Sequence, residues 1–180
     1  MTAQVRLIPL RCIHCETPVP AEPQEVAWAC TQCGQGLLLD EGKGLVPLEI
    51  RYSAGIPPNG AGKPHWVAAG RVELRRETYG GSDRIEREAE EFWGVQRTFV
   101  IPAYPARLEE LQAVALGFLR QPPTLNEGPA AKFTPVTLSP QDLNSAAQFA
   151  VLAVEADRKD KLKRLEPKVT LEEPVLWILP

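Results

Sequence analysis

The feature that most restricts this chain is its cysteine spacing. Cys12, Cys15, Cys30 and Cys33 are the only cysteines in 180 residues, and they read C-x2-C-x14-C-x2-C. Two residues between paired cysteines make a tight turn, and two such turns can bring four thiolates onto one tetrahedral ion. Four sulfurs close the shell. No coordination position is left for water, so a site of this kind holds structure together and does not activate a nucleophile. The expected cofactor is structural Zn2+; iron in an electron carrier uses the same four sulfurs, and ligand type alone does not separate the two metals.

The residues around the cysteines set out a small β module. Val5–Leu10 is apolar enough for a short strand into the first turn, and Thr17–Pro23, interrupted by Pro18, Pro20 and Pro23, should be an extended excursion. Val26–Ala29 returns as a strand, with Trp28 two residues before Cys30 as apolar cover beside the ion. Gly34 and Gly36 follow the second cysteine pair, where a positive φ serves a turn whose amides point at sulfur. The first pair has Glu16 instead, which predicts a less regular first turn. Leu37–Leu39 reads as a third strand, Asp40–Gly44 as a turn, and Leu45–Tyr52 as extended chain leading out.

Residues 12–33 and their flanking strands resemble the zinc-ribbon (rubredoxin-like) family of small β modules, in which two knuckles clamp one structural zinc. The resemblance covers roughly the first quarter of the chain. It is specific for metal and not for function, because ribbons of this type serve in transcription, translation and replication.

Residues 53–64, SAGIPPNGAGKP, concentrate turn formers and read as a linker. The expected organisation is therefore a zinc ribbon at 1–52, the linker at 53–64 and an α+β domain at 65–180, with a mainly antiparallel sheet and two amphipathic helices. His65–Arg75 alternates in its second half and reads as a strand with one wet face. Of residues 84–91, only Ile85 and Ala89 are apolar, which fits a solvated helix or an exposed hairpin arm equally. Phe92–Ile101, aromatic and β-branched, is expected at the centre of the sheet. Ala106–Arg120 reads as the first amphipathic helix, stopped by Pro122 and Pro123. Ser139-Pro140-Gln141-Asp142 starts the second, which should run to Glu166, with the basic residues at 158, 159, 161, 163 and 164 complementing its negative end. Val169–Leu171 and Pro174–Leu179 give terminal strands.

Charge narrows the function. The net charge is −3, and residues 1–50 hold Arg6, Arg11 and Lys43 against Glu16, Glu22, Glu25, Asp40, Glu41 and Glu49. A ribbon that gripped phosphates would carry the opposite balance. His14, inside the first knuckle, and His65, beside Trp66, are the two histidines; His14 as a ligand in place of a cysteine is disfavoured because the middle residues of a knuckle point outward, and His65 as a catalytic base is disfavoured against a structural role. No phosphate loop is present, because Lys63 is followed by Pro64. Trp66, Trp93, Phe92, Tyr79 and Tyr104 raise base stacking, but their strand positions favour core packing.

The leading expectation is a non-catalytic zinc-binding protein that acts as an interaction or scaffold module through its acidic ribbon, with another protein as partner. The alternative is a nucleic-acid-associated ribbon protein using the arginines at 71, 75, 76, 84 and 87. An enzyme with a cleft between ribbon and second domain is a third class. The paired thiols, the absence of a secretory leader at Met1–Arg6 and the lack of an apolar span point to the cytoplasm.

Overall fold

The computed structural model describes residues 8–80, 83–158 and 160–180. Strand outweighs helix, 36% against 24%, in an α+β arrangement built on two sheets. The small sheet is antiparallel, ordered β1 (Ala27–Ala29), β2 (Gly36–Asp40), β3 (Gly44–Pro47). Its β2–β3 turn is fixed by the Asp40 carboxylate, which accepts from the Gly42 and Lys43 amides at 2.9 and 2.8 Å. Those bonds hold the Asp40 pKa below the usual carboxylate range.

The large sheet has six strands: β4 (Ile50–Tyr52), β5 (Ala61–Thr78), β6 (Arg97–Pro102), β7 (Lys132–Phe133), β8 (Leu162–Leu171) and β9 (Val175–Leu179). Helices α1 (Asp83–Trp93), α2 (Leu108–Arg120) and α3 (Leu143–Ala156) lie between these strands in the chain. The 18-residue β5 is the axis, with β6 along one edge and β9 followed by β8 along the other. Leu171 stands opposite Gly70 and Val175 opposite Val67, so residues 172–174 fill a place where β5 has two residues. Pro174, which has no amide to donate, sits in that irregularity.

Alternation along β5 explains how the sheet is covered on both sides. Trp66, Ala68 and Val72 face Ala89 and Trp93 of α1 and Ala147, Val151 and Val154 of α3. Val67, one residue out of phase, joins Val100, Trp177 and Leu179 beneath Phe118 of α2. The small sheet is docked on this body: Ala27 belongs to the same core as Trp66 and Leu176, and the Val26 amide donates to the Val136 carbonyl at 2.8 Å.

Several expectations need correction. Among the described residues there are three α-helices, one more than expected, because residues 84–91 form the middle of α1, whose Ala89 and Trp93 are buried. Phe92 and Trp93 therefore end a helix, and the strand begins only at Arg97; β5, not this segment, is central. The second expected helix stops at Ala156, well short of Glu166, and Leu162 and Leu165 belong to β8. Lys163 and Arg164 thus lie on a strand, Arg158 alone binds the helix end through Glu155, and Lys159 lies outside the described residues. Ser139 does cap as expected, its hydroxyl accepting from the Gln141 amide at 3.2 Å, although the first turn, Pro140–Asp142, is 3-10.

In the expected ribbon, Val5–Leu7 lie outside the described residues and Ile8–Leu10 form no strand. Residues 50–52 pair with β9 in the large sheet, in parallel. Of the expected linker, Ala61–Pro64 open β5, while Ser53 and Ala54 are fastened by amide bonds to Ile178 and Asn126, at 2.9 and 2.8 Å. Glycine there serves tight packing: a Cβ on Gly62 would lie 2.8 Å from the Leu179 carbonyl oxygen.

Candidate metal centre

Two matching turns present the four cysteines. The Glu16 amide donates to the Cys12 carbonyl and the Gly34 amide to the Cys30 carbonyl, each at 2.9 Å, so each knuckle closes at the same spacing. Both closing residues take positive φ, 60° at Glu16 and 75° at Gly34. The expected irregularity of the first turn is thus absent. Glu16 adopts the left-handed conformation that glycine would take without steric penalty. Gly36 has a different role from the one its position suggests: its φ is not positive, but a Cβ there would stand 2.1 Å from the Leu48 carbonyl oxygen.

The four Sγ atoms all lie within 4.8 Å of one another. Across the knuckles, Cys12 and Cys33 are 3.6 Å apart and Cys15 and Cys30 are 3.5 Å apart. A disulfide would need about 2.05 Å, and these are free thiols. Four sulfurs at about 2.3 Å from one tetrahedral ion stand roughly 3.8 Å from each other, and the two distances across the knuckles lie close to that value. The site can hold one.

The neighbouring chemistry suits thiolates. The His14 amide lies 3.4 Å from the Cys12 sulfur, and Cys15 Sγ lies 3.3 Å from the Thr17 hydroxyl. Hydrogen bonding from the Thr17 hydroxyl and amide brings the Cys15 pKa down to about 6. Cys33, although pulled down by the Gln35 amide, is pushed up to about 12 by burial and by the three neighbouring cysteines. A divalent ion would displace the thiol protons on binding.

A thin apolar cover surrounds the sulfurs. Cys12 and Cys30 are buried with Val19, Trp28 and Leu37, so Trp28 takes the place expected of it. Its indole N–H donates to the Glu25 carboxylate at 2.8 Å. Cys33 is exposed and Cys15 half-buried. His14 is exposed and lies outside the sulfur cluster.

His65 lies far from this chemistry in its surroundings: its ring packs edge-on against Tyr104 and Phe118, with centroids at 5.5 and 5.6 Å. Nδ1 donates to the Lys63 carbonyl at 2.9 Å, and Nε2 is buried with no hydrogen-bond partner. Burial, reinforced by the Lys63 charge and opposed by that carbonyl bond, lowers its pKa to about 4. Trp66, Trp93 and Tyr104 are buried, leaving Tyr79 as the exposed ring of the stacking set.

One cluster escaped sequence reasoning. Arg76 of β5 lies 2.7 Å from Glu155 of α3 and 2.5 Å from Asp160, with side chains 7%, 0% and 4% exposed. The other Glu155 oxygen accepts from Arg158 and from the Trp93 indole, each at 2.7 Å. The available signal is a lone carboxylate on the apolar 147–151–155 stripe of α3. No protein-family model matches this chain, and neither a curated protein nor a solved structure matches it.

Proposed function

We propose that this is a structural-zinc protein whose ribbon module is an acidic platform for another protein, acting without catalysis in the cytoplasm. The carrying observation is the closed set of four sulfurs, within 4.8 Å of one another, under a thin apolar cover. Cys12, Cys15, Cys30 and Cys33 would hold the ion; the ion would supply cross-linking and leave no site for a reacting water. Around it, the described residues 8–49 carry Arg11 and Lys43 against six carboxylates, and four thiolates on a divalent ion add two more negative charges. Among the described residues, no helix is long and apolar enough to cross a membrane.

Charge also bears on the nucleic-acid alternative. Of the arginines that motivate it, Arg76 is buried between two carboxylates and Arg84 pairs with Glu88 at 2.8 Å. A gel shift at about 50 mM salt, where phosphate contacts are strong, separates the readings: the expected result is no retarded band. For the metal, elemental analysis of the full chain should give one zinc per chain, lost in Cys30→Ser. Iron at that stoichiometry would replace the structural reading with an electron carrier.

A further inference from the structure

The axis strand of the large sheet has a stretch with a neighbour on one side only. β6 pairs with β5 from His65 to Gly70, while β9 and then β8 take the opposite edge, so beside residues 71–78 no described strand lies on the β6 side. A cleft of about 500 Å³ borders that edge, lined by Val72, Leu74 and Arg76 of β5 and by Glu86, Glu90 and Trp93 of α1.

Hydrogen-bond phase shows what the edge presents. The Ala103 amide donates to the Pro64 carbonyl opposite it at 2.9 Å, so the even-numbered residues of β5 bond toward β6. The Glu172 amide donates to the Ala69 carbonyl at 2.8 Å and the Tyr79 amide to the Lys161 carbonyl at 2.9 Å, so the odd-numbered residues bond toward β8. Val72, Leu74 and Arg76 therefore direct their amides and carbonyls to the side where β6 has ended, and among the described residues no backbone bond reaches them there. The outer edge of β8 is guarded, because Pro167, opposite Leu74, falls in its outward phase and has no amide to offer. Residues 71–77 of β5 contain no proline.

The charges beside this edge divide into engaged and unengaged groups. Arg76 is held by Glu155 and Asp160, Glu73 by Lys168 and Glu77 by Lys163. Arg71 and Arg75 on β5, and Glu86 and Glu90 on α1, have no ion-pair partner among the described residues. The two signs lie on different faces. Val72 packs with Ala89 and Trp93 of α1, so even-numbered side chains of β5 face the helices, whereas Arg71 and Arg75 point to the other, exposed face. We infer that the edge takes an extended peptide from a partner protein, running antiparallel to β5 in the row that β6 leaves, with basic side chains toward α1 and acidic ones on the opposite face. Main-chain bonds to Val72, Leu74 and Arg76 supply the pairing. Peptide residues opposite these three turn their side chains toward Glu86 and Glu90, and those opposite Arg71 and Arg75 meet the arginines. A slip of one residue reverses every charge contact, so the alternation of sign sets the register. Six residues at about 3.3 Å each cover the roughly 20 Å from Arg71 to Glu77. This surface belongs to the large sheet and is separate from the acidic ribbon proposed above.

The test uses the full chain, labelled for amide NMR, with three capped hexapeptides as probes. The first is Lys-Glu-Lys-Thr-Val-Glu, the second its charge-swapped form Glu-Lys-Glu-Thr-Val-Lys, and the third the first peptide methylated on the backbone nitrogens of its first, third and fifth residues. The swapped peptide keeps the net charge of the first, so a difference between them reports on register and not on bulk attraction. In the free protein the Val72, Leu74 and Arg76 amides should exchange faster than those of Glu73 and Arg75, and the first peptide alone should protect them. Charge swap and methylation should each weaken binding by about tenfold or more in the NMR titration, the former less so at high salt. Leu74→Pro removes the central donor of the open edge and should abolish binding, with circular dichroism and metal content unchanged. If that variant misfolds, the methylated peptide remains the test of main-chain pairing. Equal binding of the methylated peptide overturns strand addition, and equal binding of the swapped peptide overturns the stated occupant. Failure of every peptide to bind, or slow exchange of the three amides in the free protein, overturns the open edge itself. Each of these results leaves the ribbon platform to its own test.

Discussion

The two sheets of this protein reach order by different means. In the large sheet, alternation along β5 sends Trp66 and Ala68 to one core and Val67 to another, so apolar burial closes it on both faces. In the small sheet the separate core is Cys12, Val19, Trp28, Cys30 and Leu37, two of whose five members are candidate ligands. Burial of that extent cannot offset the ordering of some forty residues, each costing about 1–2 kcal/mol. The difference predicts which part fails first. Chelation, or Cys30→Ser, should remove the small-sheet NMR signals with the loss of an ion worth about 10–16 kcal/mol in comparable sites, while the large-sheet signals persist. Simultaneous collapse of both sheets would break the comparison.

The next largest effect falls in the other region, at the buried ion cluster around Arg76. Arg76 ties β5 to α3 and to the start of the chain's return, through Glu155 and Asp160, where almost no water reaches. Removing one member leaves the others charged and buried, so Arg76→Met should cost about 3–5 kcal/mol in urea denaturation. The double change Arg76→Met with Glu155→Leu should recover only part of that, because Asp160 stays buried without its cation and the Trp93 and Arg158 donors lose their acceptor. Zinc content should be untouched in both variants. A drop in metal with Arg76→Met would mean that the regions are coupled more tightly than their separate cores suggest.

What was legible in the sequence divides along the same line. The cysteine spacing is a short-range constraint, and with it came the clustering of the four cysteines, the strands at 27–29 and 36–40 and the turn at 41–43. Long-range competition hid the rest. Residues 162–166 carry charge that suits a helix surface, yet β5 offers them an antiparallel edge from Arg75 to Thr78, and pairing wins. Phe92 and Trp93 look like strand residues by type, but a helix places the Trp93 indole on Glu155, a partner 62 residues away. Tyr52 and its neighbours follow the ribbon in sequence, while their partner strand is the last in the chain. Glu16 was misjudged for another reason: turn closure by the Cys12 carbonyl dictates φ more strongly than the residue's own preference.

A smaller effect should separate the regions by pH. The folded His65 has its pKa lowered to about 4, against about 6.5 when unfolded, so between these values the unfolded chain binds more protons. Its contribution is full above pH 6.5 and is lost as pH falls toward 4, by about 2–3 kcal/mol at most. His65→Phe keeps an aromatic between Tyr104 and Phe118 and should flatten this slope in the unfolding of the large sheet. The slope must be read on large-sheet probes. Loss of the ion at low pH, as thiolates take up protons, would report on the small sheet instead.

The finest distinction concerns the two knuckles. They close alike, but Glu16 holds φ 60° where Gly34 holds 75°, and only the glycine, which has no Cβ, does so without crowding the backbone. Glu16→Gly should therefore stabilise the metal-bound small sheet by about 0.5–1 kcal/mol, the relief of the left-handed penalty less the added entropy of a glycine in the unfolded chain. Gly34→Ala should act in the opposite sense by about 1 kcal/mol, although open space surrounds the site, because the strain lies in the backbone and not in a clash. Competition with a chromogenic chelator reads both changes as shifts in apparent zinc affinity, of about two- to fivefold in opposite directions. If Glu16→Gly weakens the site instead, the Glu16 side chain contributes something glycine lacks, and the two knuckles are not equivalent despite their shared geometry.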